Sequence, residues 1–270
     1  MRSTSTYLFL KTKGGRILKD GERIDVVNEQ ISLIAKKDGL TFGTDAYLLA
    51  AFMRPQSRAR AVELGTGTGI ISLLCAARAR FGKIYALEIQ EDFASLAQRN
   101  VTLNGLEDRI EVRLADARTI RADEIDGECD VVFSNPPYMR TDSGKRNDSD
   151  YKYIARHEVC GTVDDFCAAA ERLLKYGGKF YCVWRPDRLS ELMAAMRAHG
   201  MEMKVAVFVH ADAESEPSMM LCSATRGGAA GLRILPPLLL HDLDDRGQGT
   251  RRLSERAKSI YDTMNFYEGK

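Results

Sequence analysis

Long apolar runs are missing from this chain. None approaches the ~18 residues that a membrane-spanning helix needs, and the first fifteen residues carry only a short apolar core, Tyr7 to Leu10, among Ser, Thr and Lys. A secretory signal requires a longer apolar stretch and a small-residue cleavage site, so a cytoplasmic location is expected. Net charge is nearly absent as well: 39 Lys and Arg against 38 Asp and Glu leave +1. That excludes a uniformly basic nucleic-acid sleeve and leaves room for a local basic patch. Paired cysteines are lacking too. Cys75, Cys129, Cys160, Cys167, Cys182 and Cys222 form no C-x-x-C pair and no Cys/His cluster at zinc spacing, and the four histidines do not pair at ligand spacing. No structural metal is expected, and the cysteines in apolar runs read as small hydrophobes.

What is present is an ordinary globular composition, 44% hydrophobic and 29% charged, over 270 residues. That length suits one large domain, or one domain with a small appendage. No fixed-period repeat or low-complexity tract interrupts it. From residue 60 to 225 short β-branched runs alternate with longer helical patterns. Strands are expected at 60–64, 83–88, 109–114, 129–134, 179–184, 202–209 and 218–224, and helices at 69–80, 91–103, 163–174 and 186–199. Such alternation means βαβ units and an α/β fold: a seven-stranded, mainly parallel sheet with helices on both faces. The last two strands are joined by a link too short for a helical crossover, so one strand should run antiparallel.

Residues 1–55 are expected to form an arm, a small strand pair around Asn28-Glu29 and a helix from Thr44 to Met53, with Thr44 or Asp45 as its cap. Residues 56–270 would form the main domain. It ends in an edge strand at 232–240, broken by Pro236-Pro237, and in a charged tail that turns helical at 253–261.

Four features at expected strand ends carry chemistry. Glu63-Leu64-Gly65-Thr66-Gly67-Thr68-Gly69 closes a strand and opens a helix. Glycines let a ligand approach the backbone, and the helix N-terminus offers unpaired N–H groups. The G-x-G-x-G spacing departs from the G-x-G-x-x-G of dinucleotide binders. Glu63 would repel a pyrophosphate and suits a ligand with an amino group. Glu88 ends the next strand, where a carboxylate can accept two ribose hydroxyls, and Asp116 follows the third, within reach of an adenine edge. Ser134-Asn135-Pro136-Pro137-Tyr138 follows the fourth. Its two prolines remove backbone donors and leave carbonyls to accept, Asn135 adds an acceptor and two donors, and Tyr138 adds a face for stacking on a planar group.

With these residues the chain resembles the class I S-adenosylmethionine-dependent methyltransferases, Rossmann-like enzymes whose NPPY motif acts on planar amino or amide nitrogens. Gly39-Leu40-Thr41-Phe42-Gly43-Thr44-Asp45, Ile154-Ala155-Arg156-His157-Glu158, Trp184-Arg185-Pro186-Asp187-Arg188-Leu189 and the 231–237 segment are similar to the bacterial tRNA1(Val) adenine-37 N6-methyltransferases. Thr44 and Tyr47 stand where members of that family usually have small or aliphatic residues.

The resemblance implies S-adenosyl-L-methionine as cofactor. Gly65, Gly67 and Gly69 would lie under it, Glu88 on its ribose and Asp116 on its adenine, with Phe42, Gly43 and Asp45 closing over its methionine end. It also implies Asn135, Pro136 and Tyr138 as the catalytic set. The Asn135 oxygen and the Pro136 carbonyl would accept N6–H bonds of a flipped adenine on which Tyr138 stacks. The implied partner is RNA, most simply tRNA, with Arg140, Lys145, Arg146, Lys152 and Arg156 as a basic loop beside the site. His157 either shapes the acceptor pocket or braces the following helix. A guanine amino group or a protein glutamine remains an alternative acceptor, and a non-catalytic RNA-binding module an alternative role. A dinucleotide-dependent oxidoreductase is disfavoured by the glycine spacing, Glu63 and the proline motif.

Overall fold

The computed structural model of the protein describes residues 11–12, 15–16, 18–37, 43–136, 161–244 and 249–267. Of the residues singled out above, Phe42 with segment 39–41, Pro137, Tyr138, the basic loop, His157 and Cys160 lie outside the described residues. In chain order come β1 (Lys11–Thr12), β2 (Gly15–Arg16), β3 (Glu22–Val26), β4 (Ser32–Lys36), α1 (Thr44–Phe52), β5 (Gln56–Leu64), α2 (Ile70–Ala77), β6 (Phe81–Glu88), α3 (Glu91–Leu103), β7 (Ile110–Leu114) and β8 (Cys129–Ser134). Then follow α4 (Val163–Leu173), β9 (Leu174–Trp184), α5 (Leu189–Ala198), β10 (Met201–His210), β11 (Pro217–Arg226), β12 (Arg233–Ile234), β13 (Leu238–Leu239), β14 (His241–Leu243), β15 (Gly249–Leu253) and α6 (Glu255–Thr263).

The central sheet runs β12-β10-β11-β9-β8-β5-β6-β7, with β13 also on β10. All its pairings are parallel except those of β11, which is antiparallel to β10 and to β9. The seven expected strands and the single reversed one are therefore all present, and the proline-broken edge strand forms as β12 and β13. The strands are buried on both faces: Ala61, Phe81, Ile84, Val131 and Phe133 point to one, and Val62, Leu64, Tyr85, Leu87 and Val132 to the other. This explains why the sequence reads as continuous apolar runs rather than as alternation.

α1 is apolar all round, and every residue from Ala46 to Phe52 is buried. A helix of that kind must be covered on every side. The sheet strands β9 and β11 together with α2 and α6 supply the cover, and the Tyr47 hydroxyl donates to the Tyr261 carbonyl at 2.7 Å. The β3–β4 hairpin is held from α3. Asn100, fully buried, accepts from Ile34 N–H at 2.6 Å and donates to the carbonyls of Ile34 and Thr68 at 3.2 and 2.9 Å. Arg99 grips Glu22 through both nitrogens, at 2.7 and 2.6 Å.

The strand order reverses at β5: β6 and β7 lie to one side, while β8 returns to the other. Ligands bind open α/β sheets in the crevice beyond the carboxyl ends of the strands at such a point. Parallel register aligns Leu64 with Leu87 and Ser134, and Glu88 with Leu114. The next residues along each strand thus meet at one end of the sheet. Among the described residues no helix is long and apolar enough to cross a membrane, and no three His, Cys, Asp or Glu side chains gather as a metal site.

Candidate active site

Beyond β5 the chain makes the turn that its glycines permit. Gly65, Gly67 and Gly69 have φ of +72°, +56° and +85°, a region that costs other residues about 1 kcal/mol or more. Each serves a different purpose. A Cβ on Gly69 would sit in ordinary contact with Ala97 of α3 at 3.5 Å, whereas one on Gly67 would meet nothing within 4 Å. Gly69 therefore lies against α3, and Gly67 borders open space. That space is a cavity of about 210 Å³ lined by Gly65, Gly67, Leu87, Glu88, Ile89, Gln90, Phe93, Ala115, Asp116, Ala117, Asn135 and Phe166.

Five residues expected from the sequence thus share one cavity: Gly65, Gly67, Glu88, Asp116 and Asn135. Glu88 is almost wholly buried and works on the loop itself. Its Oε2 accepts from Gly67 N–H at 2.8 Å and its Oε1 from Gln90 N–H at 3.0 Å. A carboxylate has about four lone-pair sites, so both oxygens retain capacity for a ligand's hydroxyls. Asp116 is clasped by Arg118, with Nε at 2.9 Å and Nη2 at 2.7 Å, and this guanidinium holds its carboxyl below the ordinary range.

Glu63 and Gly69 are not among the residues lining the cavity. Glu63 sits beneath the loop, 1% exposed, where its Oε2 accepts from Thr66 Oγ1 at 2.7 Å and from Ser72 Oγ. Burial pushes its carboxyl up to about 7. It ties the glycine loop to the first turn of α2.

Asn135 emerges from β8 at the cavity rim. The preceding Ser134 is buried, and its hydroxyl donates to the Leu64 carbonyl at 2.8 Å, locking the two strand ends together. The Asn135 Nδ2 donates to Asp45 Oδ2 at 2.8 Å. Asp45 does not cap α1 in the expected way: the N-cap is Gly43, without a side-chain cap. Both Gly43 and Asp45 stand outside the cavity lining. Pro136, buried, follows Asn135.

The apolar walls were not foreseen. Leu87, Ile89, Gln90, Ala115 and Ala117 flank Glu88 and Asp116 in sequence and could have been found by adjacency. Phe93 opens α3, and Phe166 lies in the first turn of α4, whose start is marked by a capping box between Thr162 and Asp165. Planar apolar walls above a carboxylate and a glycine loop suit a ligand with a flat ring and a hydroxylated sugar.

Comparison with known proteins finds relatives in both sequence and fold. The family model of the methyltransferase small domain matches residues 36–206. A tRNA1(Val) (adenine(37)-N6)-methyltransferase of Phocaeicola vulgatus is 33% identical over 197 residues, 72% of this chain and 80% of its own. Among solved structures, a predicted O-methyltransferase from Agrobacterium tumefaciens shares the fold with a TM-score of 0.64 at 22% identity, over 83% of this chain and 98% of that one. TYW2 of M. jannaschii, solved in complex with AdoMet, aligns with a TM-score of 0.52 at 14% identity, over 77% and 88%. The chain belongs to the methyltransferase small domain family and, within it, to the family of the tRNA1(Val) (adenine(37)-N6)-methyltransferases.

Proposed function

We propose that this protein transfers a methyl group from S-adenosyl-L-methionine to the exocyclic N6 of an adenine in tRNA. The observation that carries the reading is the meeting of Asn135 with Gly65, Gly67, Glu88 and Asp116 around one cavity, so that an acceptor-orienting amide borders a donor cradle. When bound, the donor supplies an electrophilic methyl on a sulfonium. The chain's own residues then bind, orient and shield. Gly65 and Gly67 offer backbone without side chains, Glu88 takes the ribose hydroxyls, and Asp116 takes the adenine amino edge. Ile89, Phe93 and Phe166 exclude water from the ring faces. Gly69 and Glu63 support this cradle from behind.

An adenine amino group is a weak nucleophile because its lone pair is delocalised into the ring. On this reading the Asn135 oxygen and the Pro136 carbonyl accept hydrogen bonds from its two N–H groups. That favours a pyramidal nitrogen with its lone pair aimed at the methyl, a gain realised mostly in the transition state. Phe42 and Gly43 on the donor's methionine end, and Tyr138 stacked on the base, complete the proposed set. The division at residue 55 would then be one of labour: the second segment cradles the donor, and the first reaches the site through α1.

The test is nucleoside mass spectrometry of bulk tRNA incubated with the protein and isotopically labelled donor. Labelled N6-methyladenosine is expected, and Asn135→Ala should slow kcat by about 10²–10³-fold, the scale for one oriented polar contact. Label appearing only in methylguanosine, or only on a protein glutamine, would refute the adenine assignment.

A further inference from the structure

The carboxylate of Asp45 is fixed before any substrate arrives. Its Oδ1 accepts from Ala46 N–H at 2.9 Å, in the first turn of α1, where the helix macrodipole favours negative charge. The side chain folds back over the helix entry, and a Cβ at position 43 would collide with its Oδ1. Gly43, at φ −90°, carries no backbone strain, and a side chain there would have to displace the Asp45 carboxylate. The other oxygen, Oδ2, receives Asn135 Nδ2 at 2.8 Å across 90 positions of sequence.

An ionised carboxylate can only accept. Of the two orientations open to a carboxamide, Asp45 therefore permits one, with Nδ2 toward α1 and Oδ1 on the opposite arm. We propose that Asp45 is the positioning residue of the transfer site, holding the Asn135 amide so that its oxygen faces the incoming nitrogen. This rests on the role given to Asn135 above, and it replaces the expectation that Asp45 serves the donor's methionine end. The Asn135 oxygen is matched by an acceptor that brings an N–H, as an exocyclic NH₂ does. Hydrogen-bonding Nδ2 to a charge further polarises the amide and strengthens its oxygen as an acceptor.

The experiment is a double-mutant cycle on the full chain, with Asp45→Ala and Asn135→Ala singly and together, and with Asp45→Asn as the conservative variant. Single-turnover rates on tRNA at saturating donor are read beside calorimetric affinity for S-adenosylhomocysteine. Asp45→Ala should lower the rate by about 10- to 100-fold, the usual cost of losing a partner that orients a reacting group, and leave donor affinity unchanged. In the Asn135→Ala background the same change should add less than about twofold, because the group it positions is gone. Asp45→Asn keeps an acceptor oxygen and should recover much of the rate. Additive losses, a weakened donor affinity with the rate intact, or a wild-type rate in Asp45→Ala would each overturn the inference. Failure of the underlying reading shows elsewhere, as an Asn135→Ala variant that keeps its rate. Failure of this inference leaves that variant slow. A readout without substrate is the Asn135 side-chain NH₂ resonance, whose slow hydrogen exchange should be lost in Asp45→Ala; exchange equally fast in both proteins would remove the contact itself.

Discussion

Glu88 is the side chain whose removal should damage both the protein and its ligand site. Its two oxygens hold Gly67 N–H at 2.8 Å and Gln90 N–H at 3.0 Å, so it staples the glycine loop to the start of α3. Glu88→Ala leaves both amides without that acceptor. Hydrogen bonds to a charged group contribute about 1.5–3 kcal/mol each, but amides that open onto a cavity can regain water, so about 1–1.5 kcal/mol apiece is the realistic loss. The expected destabilisation is about 2–3 kcal/mol. At about 2 °C per kcal/mol for a chain of this length, Tm should fall by about 4–6 °C. Donor affinity should fall further. Two ribose contacts disappear and the loop must be ordered on binding, which together amount to about 3 kcal/mol, or roughly a 100-fold rise in Kd for S-adenosylhomocysteine. Glu88→Gln should lie between, since its one carbonyl oxygen satisfies one amide while its NH₂ opposes the other. Thermal unfolding and calorimetry on the same preparations measure both effects. A Glu88→Ala protein with unchanged Tm and lost ligand binding would show that the loop stands without its staple, and would refute the reasoning.

The other predictions concern groups beneath the site. Burial raises the Glu63 carboxyl from 4.5 to about 7, so its contribution to stability is complete below pH 4.5 and is lost as pH rises through 7. Glu63→Gln keeps an oxygen for Thr66 and Ser72, and its stability relative to wild type should grow by about 3 kcal/mol between pH 4.5 and pH 8. Parallel urea-denaturation profiles for the two proteins would rule this out. Asn100→Ala strips partners from Ile34 N–H, Ile34 C=O and Thr68 C=O. It should cost about 3 kcal/mol and abolish exchange protection at the Ile34 amide, and a loss below about 1 kcal/mol would mean that water replaces the side chain.

The elements most legible in the sequence are those whose signal is local. β8 and α3 match their expected bounds, because a buried strand between turn residues and an amphipathic helix opened by two acids each announce themselves within one window. β5 and β9 start earlier than expected, at Gln56 and Leu174. Their first residues include Ser57, Arg58, Lys175 and the Gly177-Gly178 pair, which no hydrophobic pattern marks. The strands extend over them because Gln56 pairs with Phe81 and Leu174 with Cys129, across register shifts before the regular ladders resume at Arg60 and Lys179. The β14–β15 hairpin likewise forms in a stretch whose sequence shows only charge and glycine.

The same division runs through the candidate site. Gly65, Gly67, Glu88, Asp116 and Asn135 could be picked out because each follows or ends a strand, and parallel register then gathers strand ends without further information. What orients them is not local. Asn100 reads as one polar residue on the apolar face of α3, between Leu96, Ala97 and Val101, and nothing near it in sequence reveals Ile34 or Thr68 as its partners. Asp45 reads as a helix cap by every local rule, because an acid in the first turn is favoured there whatever else it does. Its second oxygen becomes meaningful only once the fold brings the start of α1 beside the end of β8. A motif therefore names the atoms that meet a ligand, while long-range packing decides which way those atoms face.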